Sequence, residues 1–378
     1  MKIALNASTL LTPKAGIGLY TDKIARALII NPDYDVHLFF KGYWSKDFIK
    51  QNNKNFLFSR LINKLSSKSL SLENAVDTFY FNKYVKNKDI DLYHEPNFIA
   101  YESPVPTLIT VHDLSWIHYP NFFFKEELIK FNNFFLKSLR KAVNIITHSN
   151  FIKREIYNYF SYPLDKIFVV HEDISEFFFP RRAIDCLSVL DKYNLNYKKY
   201  IICINTLDLR KNYKTLIRAY NSLDKKIQEE YPLIIIGMKG RYFEETINLI
   251  NNSSNVMYLG HLPTDELSII LSGAAVFTYP SLYEGFGITP LEAMASGVPV
   301  ISSNTASLPE VIENAGVLID PLDVDLWSKE IKSIIFNKDI KQNLINLGLK
   351  RVKSFPKNSC VNQILDIYKS IIKMDGNI

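Results

Sequence analysis

The sequence predicts an α/β protein made of two doubly wound domains, each a parallel sheet covered by helices on both faces. Three observations carry the prediction. Short, near-continuous apolar runs alternate with longer amphipathic ones along the chain, the pattern of parallel strands joined by crossover helices. The alternation restarts at Tyr200 after a turn-rich stretch, and one sheet holding every run would be unusually wide. The 378 residues, with 47% apolar and 22% charged side chains, are the material of two to three globular domains.

The elements follow in order. KIALNA reads as a buried first strand and Tyr20 to Ile30 as a helix. DVHLFF, DLYHE, TLITVHD and AVNIITHS read as further strands. In the second half, YIICINT precedes a helix from Tyr213, YPLIIIG a helix from Tyr242, and NVMYLG a helix from Thr264. AAVFTYP, a helix from Pro290 and VPVISS complete the series. The break falls between Val170 and Lys199, where EDISEFFFPRR is polar and Pro-bearing. The expected domains are 1–175 and 176–355, with 356–378 as a closing helix. Ligands of open α/β sheets bind beyond the carboxyl ends of the strands. The site is therefore expected in a cleft between the domains, on residues that directly follow strands.

Composition excludes several classes. Cys186, Cys203 and Cys360 are the 3 cysteines; they cannot build a disulfide framework, and their spacing is not that of a zinc site. A reducing compartment is expected. The start, MKIALNASTLL, meets Pro13 and Gly16 too early for a signal peptide. No apolar run is long enough to span a bilayer. The net charge of +6 is low for a dedicated nucleic-acid binder. It is unevenly placed, however. Between Lys41 and Lys88, ten basic residues face only Asp47, Glu73 and Asp77, with Phe48, Phe56, Phe58 and Leu61 interleaved. Cations mixed with apolar groups suit an anionic bilayer surface. A cytoplasmic protein, peripheral on the cytoplasmic face of the membrane through residues 41–88, is the expectation.

Glycine placement directs attention to the second half, because 8 of the 13 lie between Gly237 and Gly316. In the first half, Gly16-Ile17-Gly18 follows the first strand and opens a helix, a geometry that cradles phosphate on helix N–H groups. Thr21 stands where a third glycine would complete G-x-G-x-x-G, so a dinucleotide oxidoreductase is disfavoured.

The richest stretch is TYPSLYEGFGITPLEAMASGVPVISS, residues 278–303. Glu284 follows an apolar strand, and Gly285-Phe286-Gly287 leads into a helix, a strand–loop–helix series suited to an anion. A carboxylate at position 284 has no packing purpose there, which points to a ligand. Glu292 has two readings: ligand contact, and one half of a Thr289-Pro-Leu-Glu292 capping box. Arg210-Lys211-Asn212 follow the strand YIICI, offering a planar fork and a point charge to a diphosphate. His112 closes a strand of the first half, where it can bond a sugar hydroxyl or assist catalysis. His94 and His148 occupy comparable positions.

Together these motifs resemble the retaining glycosyltransferases of family 4, also called glycosyl transferase group 1, and among them bacterial polysaccharide mannosyltransferases. The resemblance rests on residues 284–300, on Ser307-Leu-Pro-Glu-Val311, on Ala315-Gly316-Val-Leu-Ile-Asp320-Pro321, and on Arg210-Lys211-Asn212, Val111-His-Asp-Leu-Ser and Gly16-Ile-Gly18. It implies the GT-B architecture, with two Rossmann-like domains facing across a cleft: an acceptor-side domain first, a donor domain second, and a last helix packing back on the first. Glu284 would bind donor-sugar hydroxyls with the backbone N–H groups of Gly285, Phe286, Gly287 and Ile288. Glu292 would hold the ribose, and Arg210 and Lys211 the diphosphate. Gly16 and Gly18 would approach the diphosphate from the other domain, His112 would touch the transferred sugar, and Gly260 and Leu262 would flank the nucleobase. Thr206 stands where many relatives carry another Arg, and His171-Glu172 where they carry Asn-Gly.

The implied reaction moves a hexose, mannose by the closest likeness, from a nucleotide-diphosphate sugar to a glycan or lipid-linked glycan. Preorganised cations stabilise the departing diphosphate. Configuration is retained through front-face attack, without a protein nucleophile, cofactor or metal. Asp89-Ile-Asp91 and Asp323-Val-Asp325 are read as incidental. The alternatives are a non-catalytic nucleotide-sugar-binding protein and a GT-B epimerase or phosphorylase.

Overall fold

The structure is a computed structural model and describes residues 1–11, 16–48 and 70–375. Two sheets form. The first holds β1 (Lys2–Asn6), β2 (Asp35–Phe40), β3 (Tyr43–Ser45), β4 (Leu92–Glu95), β5 (Thr107–Thr110), β6 (Ala142–Thr147) and β7 (Ile167–Val169). Their spatial order is β3-β2-β1-β4-β5-β6-β7. The second holds β8 (Ile201–Ile204), β9 (Leu233–Ile236), β10 (Val256–Tyr258), β11 (Val276–Tyr279), β12 (Val300–Ser303) and β13 (Val317–Ile319), in the order β10-β9-β8-β11-β12-β13. In each sheet the winding direction reverses once, between β1 and β4 and between β8 and β11. A doubly wound sheet binds its ligand at that switch.

Every strand pair is parallel except β2 with β3. That hairpin was not legible as an alternation of apolar runs. It is made by Lys41 and Gly42, which both take positive φ, 45° and 82°, the two-residue turn whose twist suits a tight hairpin. In the second sheet, alternate side chains feed two separate cores. Ile202, Ile204, Ile234 and Ile236 enter one, and Ile201, Cys203, Leu233 and Ile235 the other. Burial on both faces explains why these strands are apolar throughout rather than alternating.

Two helices start earlier than the sequence suggests. The first runs Ile17–Ile30, not from Tyr20, and the one after β11 runs Ile288–Ala295, not from Pro290. Each is entered through a glycine with positive φ, Gly16 at 45° and Gly287 at 93°. Pro290 still lies in the first turn, where its missing N–H costs nothing.

The last helix, Ser359–Asp375, joins the first-domain core through Cys360, Ile364, Ile367, Tyr368 and Ile371. Asp173 receives the Cys360 N–H at 2.8 Å, and Tyr368 meets His94 Nδ1 at 2.6 Å. His94 is fully buried, with its other nitrogen on Thr110, so it is a structural residue. The three cysteines are buried and unpaired with each other.

The basic, aromatic window lies partly outside the described residues, including Lys50, Lys54, Phe56, Phe58, Arg60, Leu61, Lys64 and Lys68. Phe48 is partly covered, with the Arg26 guanidinium 4.8 Å from its ring centre. Phe79 and Tyr80 are exposed on the helix Leu70–Lys88, which also exposes Lys83 and Lys86. No described helix is long and apolar enough to cross a membrane.

Candidate active site

The loops after β8 and β11 meet at a buried ionic cluster. After β8, Asp208 accepts the Arg210 N–H at 3.0 Å and starts the single turn Leu209–Lys211. Asn212 then adopts the left-handed conformation and opens the helix Tyr213–Asn221. Its amide donates to the carbonyls of Pro280 (3.1 Å) and Pro321 (2.7 Å), and Leu282 N–H donates to Arg210 O at 2.9 Å. One backbone bond and the Asn212 amide tie the loops after β8 and β11 together, and the same amide reaches the loop after β13.

Lys211 Nζ lies 2.7 Å from Glu284 Oε1, and Arg210 Nη1 lies 3.4 Å from Glu284 Oε2. Arg210 also donates to the Tyr283 carbonyl, and Asn205 Nδ2 reaches Glu284 at 3.4 Å. All three charged groups are buried. Burial works to raise the Glu284 pKa, but Lys211 and Arg210 outweigh it and bring the carboxyl to about 2. Burial and Arg210 together draw Lys211 below the usual lysine range, while Glu284 opposes them. Two cations share one carboxylate, and Arg210 Nε is left without an acceptor. Asp208 and Asp113 also act on Arg210, so the free Arg210 Nε, not a net charge deficit, is what the cluster holds open to a diphosphate.

Glu292 sits in the first turns of the helix Ile288–Ala295. Its desolvated setting, reinforced by Glu172 and opposed by Lys23, pushes it up to about 8. The capping-box alternative is not realised. Gly287 precedes the helix, no side chain caps it, and the Glu292 carboxyl makes no hydrogen bond to the described residues. Thr289 lies inside the helix and cannot cap it. Glu292 is therefore a carboxyl held in place without a structural bond to make.

The first domain closes on this cluster across Gly285. A methyl group there would lie 1.8 Å from the His112 carbonyl oxygen, so only glycine permits the approach. Ser149 Oγ donates to Gly285 O at 2.7 Å. Gly16 and Gly18 open the helix Ile17–Ile30; Gly16 has open space around it, and Gly18 is buried in the first turn. His112 has both ring nitrogens engaged, Nε2 with the Pro96 carbonyl at 2.7 Å and Nδ1 with His148 at 3.0 Å. Among the described residues, His112, His148 and Glu172 are the one group whose ligand atoms lie within 4.8 Å of one another.

Other predicted positions are more distant in chemistry than in space. Leu262 is buried in the second-domain core, so this segment presents backbone, not a side chain, to a ligand. Gly260 has positive φ, open space, and its carbonyl on Gly237 N–H at 2.8 Å. Phe286 is likewise core, stacked on His171 at 5.6 Å. The two D-x-D strings are structural: Asp91 accepts Lys2 N–H at 2.7 Å, and Asp323 caps the helix Val324–Phe336.

Three interdomain pairings were not found from the sequence. Tyr283 enters the first domain, where its hydroxyl accepts Leu114 N–H at 3.2 Å and donates to Glu155, which also holds His118 at 2.5 Å. Arg241 bridges Asp208 (3.0 Å) and Glu127 (3.1 Å) and covers Phe123 at 4.0 Å. Glu310 accepts N–H groups of the helix Asn150–Phe160. Of these residues, Tyr283 and Asp208 follow buried strands in the sequence, and Glu310 lies in the Ser307–Val311 motif.

Known proteins agree with this geometry. Residues 15–172 match the family model described as Glycosyltransferase Family 4, and residues 191–351 that described as Glycosyl transferases group 1. The chain is 32% identical over 380 residues to O-antigen chain mannosyltransferase B of Escherichia coli, covering 98% of this chain and 100% of that one. Among solved structures it is similar to a sucrose-phosphate synthase from Thermosynechococcus elongatus, with a TM-score of 0.76, 19% identity, and 99% of each chain covered. It is also similar to WaaG, a glycosyltransferase involved in lipopolysaccharide biosynthesis, with a TM-score of 0.73, 12% identity, and 97% and 99% covered. At these identities the structures speak for the shared fold, two Rossmann-like domains in the GT-B arrangement.

Proposed function

The chain belongs to the glycosyltransferases of group 1 and family 4, and from that membership we propose that it transfers mannose, with retention, from GDP-mannose to a lipid-linked glycan. Glycosyl transfer itself follows from the family. The mannose assignment rests on the full-length likeness to an O-antigen mannosyltransferase. The same relative's name, an O-antigen chain mannosyltransferase, supports a glycan acceptor; the lipid carrier is part of the proposal.

One observation carries the mechanism: Arg210 and Lys211 share the single carboxylate of Glu284, and all three are buried. Without donor, Glu284 holds both cations in place. With donor, the diphosphate takes up the cations, and the Glu284 carboxylate turns to the sugar hydroxyls. As the sugar–phosphate bond breaks, charge grows on the leaving oxygen. The cations and the N–H groups at the start of the helix Ile288–Ala295 stabilise it more then than before. A leaving-group oxygen takes the acceptor proton, so the protein supplies no nucleophile. One aspartate of each D-x-D string, Asp91 and Asp323, accepts a backbone N–H.

Glu292 serves as a hydroxyl-bearing carboxyl for the ribose. Gly16 and Gly18 bring the first helix to the diphosphate from the opposite domain. The helix Leu70–Lys88, with Phe79 and Tyr80 beside Lys83 and Lys86, places the acceptor domain on an anionic membrane surface.

The test is donor turnover with GDP-mannose, UDP-glucose and UDP-N-acetylglucosamine. Mannose transfer is expected from the first alone. Lys211→Ala should lower kcat by about 10²–10³-fold, the usual loss for one preorganised donor to a developing anion. Turnover of none of the three, or full activity in both Lys211→Ala and Glu284→Ala, overturns the proposal.

A further inference from the structure

Two histidines of the first domain face each other with one proton too few. His112 Nε2 lies 2.7 Å from the Pro96 carbonyl, and His148 Nδ1 lies 2.9 Å from the Val170 carbonyl. A carbonyl oxygen only accepts, so each ring commits an N–H there. A neutral imidazole has one N–H. His112 Nδ1 and His148 Nε2 are then bare lone pairs, yet they lie 3.0 Å apart. That is hydrogen-bond distance. Two neutral rings leave this contact repulsive and both nitrogens unsatisfied; one added proton makes it a hydrogen bond.

We propose that His112 and His148 share one proton, donated from His148 Nε2 to His112 Nδ1, so that the pair is a single cation in the cleft wall and His148 positions His112. The donor is placed on His148 because burial, and then His148 itself, disfavour a charge on His112 and hold it down to about 3. The surroundings accept a cation. Glu172, after β7, has a carboxylate oxygen within 4.8 Å of both rings and supplies the counter-charge. Tyr20, from the first helix, packs nearly perpendicular to both histidine rings, at 5.2 and 5.0 Å between centroids, and contributes no counter-charge. His94 on β4 is also near; fully buried and held down to about 3, it is neutral and adds no charge of its own to the pair. Glu172 in turn interacts with Glu292 on the helix Ile288–Ala295, which Lys23 on the first helix also reaches.

The position gives the charge a use. The His112 carbonyl lies against Gly285, and Ser149, next to His148, donates to Gly285 O. The pair thus flanks the loop that opens the helix Ile288–Ala295. An anion bound there favours the protonated pair, and by linkage the protonated pair favours the anion. The proton count stands on the geometry of the chain alone. Its effect on ligand affinity rests on the diphosphate reading of the site.

The two parts are tested separately. Nitrogen-15 spectra of histidine-labelled protein at about pH 6 should show one ring with both nitrogens protonated, hydrogen-bonded to a second ring that is neutral. His148→Gln should remove the first and leave the second. GDP affinity, by titration calorimetry, should fall by up to about tenfold per pH unit above the titration of the pair, the limit for one linked proton. In His148→Gln this slope should be flat. Two neutral rings in the wild-type spectrum overturn the proposal, as does a slope that survives in His148→Gln. A change in both ring signals on adding EDTA also overturns it, by placing a metal ion where the proton was put. Absence of GDP binding alongside the expected spectrum leaves the shared proton standing and overturns the reading of the site instead.

Discussion

Glu310 of the second domain caps a helix of the first. Its carboxylate accepts the N–H groups of Asn150 (2.8 Å) and Phe151 (2.9 Å), and also the Asn150 amide (3.0 Å). An anion at a helix N-terminus satisfies free donors and meets the positive end of the helix dipole. Here the cap comes from another domain, so the same bonds that finish the helix also hold the two halves in register. Burial acts to raise the Glu310 pKa, but His171 and the Asn150 and Phe151 N–H groups bring it to about 2.

Glu310→Gln should therefore destabilise the protein at neutral pH by about 1 kcal/mol, the usual value of a cap. The pH dependence has a definite sign. The folded pKa of about 2 lies below the ordinary value of 4.5. The contribution is complete above the ordinary value and is lost as pH falls toward the folded one. Thermal melts of both proteins should differ at neutral pH and converge in that acidic window. A gap that stays constant would contradict the assignment.

Gly285→Ala should separate the domains without unfolding either. The added carbon would overlap the His112 carbonyl at 1.8 Å, and backbone on both sides cannot yield without the domains moving. Donor KM should rise and kcat fall, while the far-ultraviolet circular dichroism stays that of the wild type. Small-angle scattering should report a larger radius of gyration. An unchanged KM would show that the close approach is unimportant.

Glu292→Gln should stabilise the ligand-free protein at alkaline pH while weakening donor binding. The folded pKa of about 8 lies above the ordinary 4.5, chiefly because the carboxyl is desolvated. Between these values the unfolded chain gives up a proton that the folded chain keeps, so stability falls as pH rises through that window. A neutral amide has no such penalty. Melting midpoints should diverge with rising pH in favour of Glu292→Gln, and equal midpoints throughout would mean that Glu292 is ionised when folded.

Vesicle co-sedimentation checks the membrane reading. Binding is expected to vesicles containing phosphatidylglycerol, to be absent with phosphatidylcholine alone, and to weaken with salt, since surface attraction is screened within about 10 Å at 0.1 M. A Lys83→Glu, Lys86→Glu double variant should reduce it. Equal binding to both vesicle types would remove the electrostatic part.

The sequence by itself determined the two doubly wound domains, because strands buried on both faces must be apolar throughout and crossover helices must separate them. It also marked Glu284, Arg210 and Lys211, since charged residues directly after buried strands have nowhere to go but the ligand end of the sheet. These depend on neighbours in the chain. The tertiary structure alone decided what those residues touch. It set two cations on one carboxylate, left Glu292 without the cap its spacing suggested, and joined His112 to His148, 36 residues away. It also brought Tyr283 to Glu155, 128 residues away, and Glu310 to Asn150, 160 residues away. Such pairings arise where loops from different strands converge, and no local periodicity encodes which loop ends face each other. Propensity and burial pattern act over a few residues; the charge balance of a cleft is settled only when two sheets close on it.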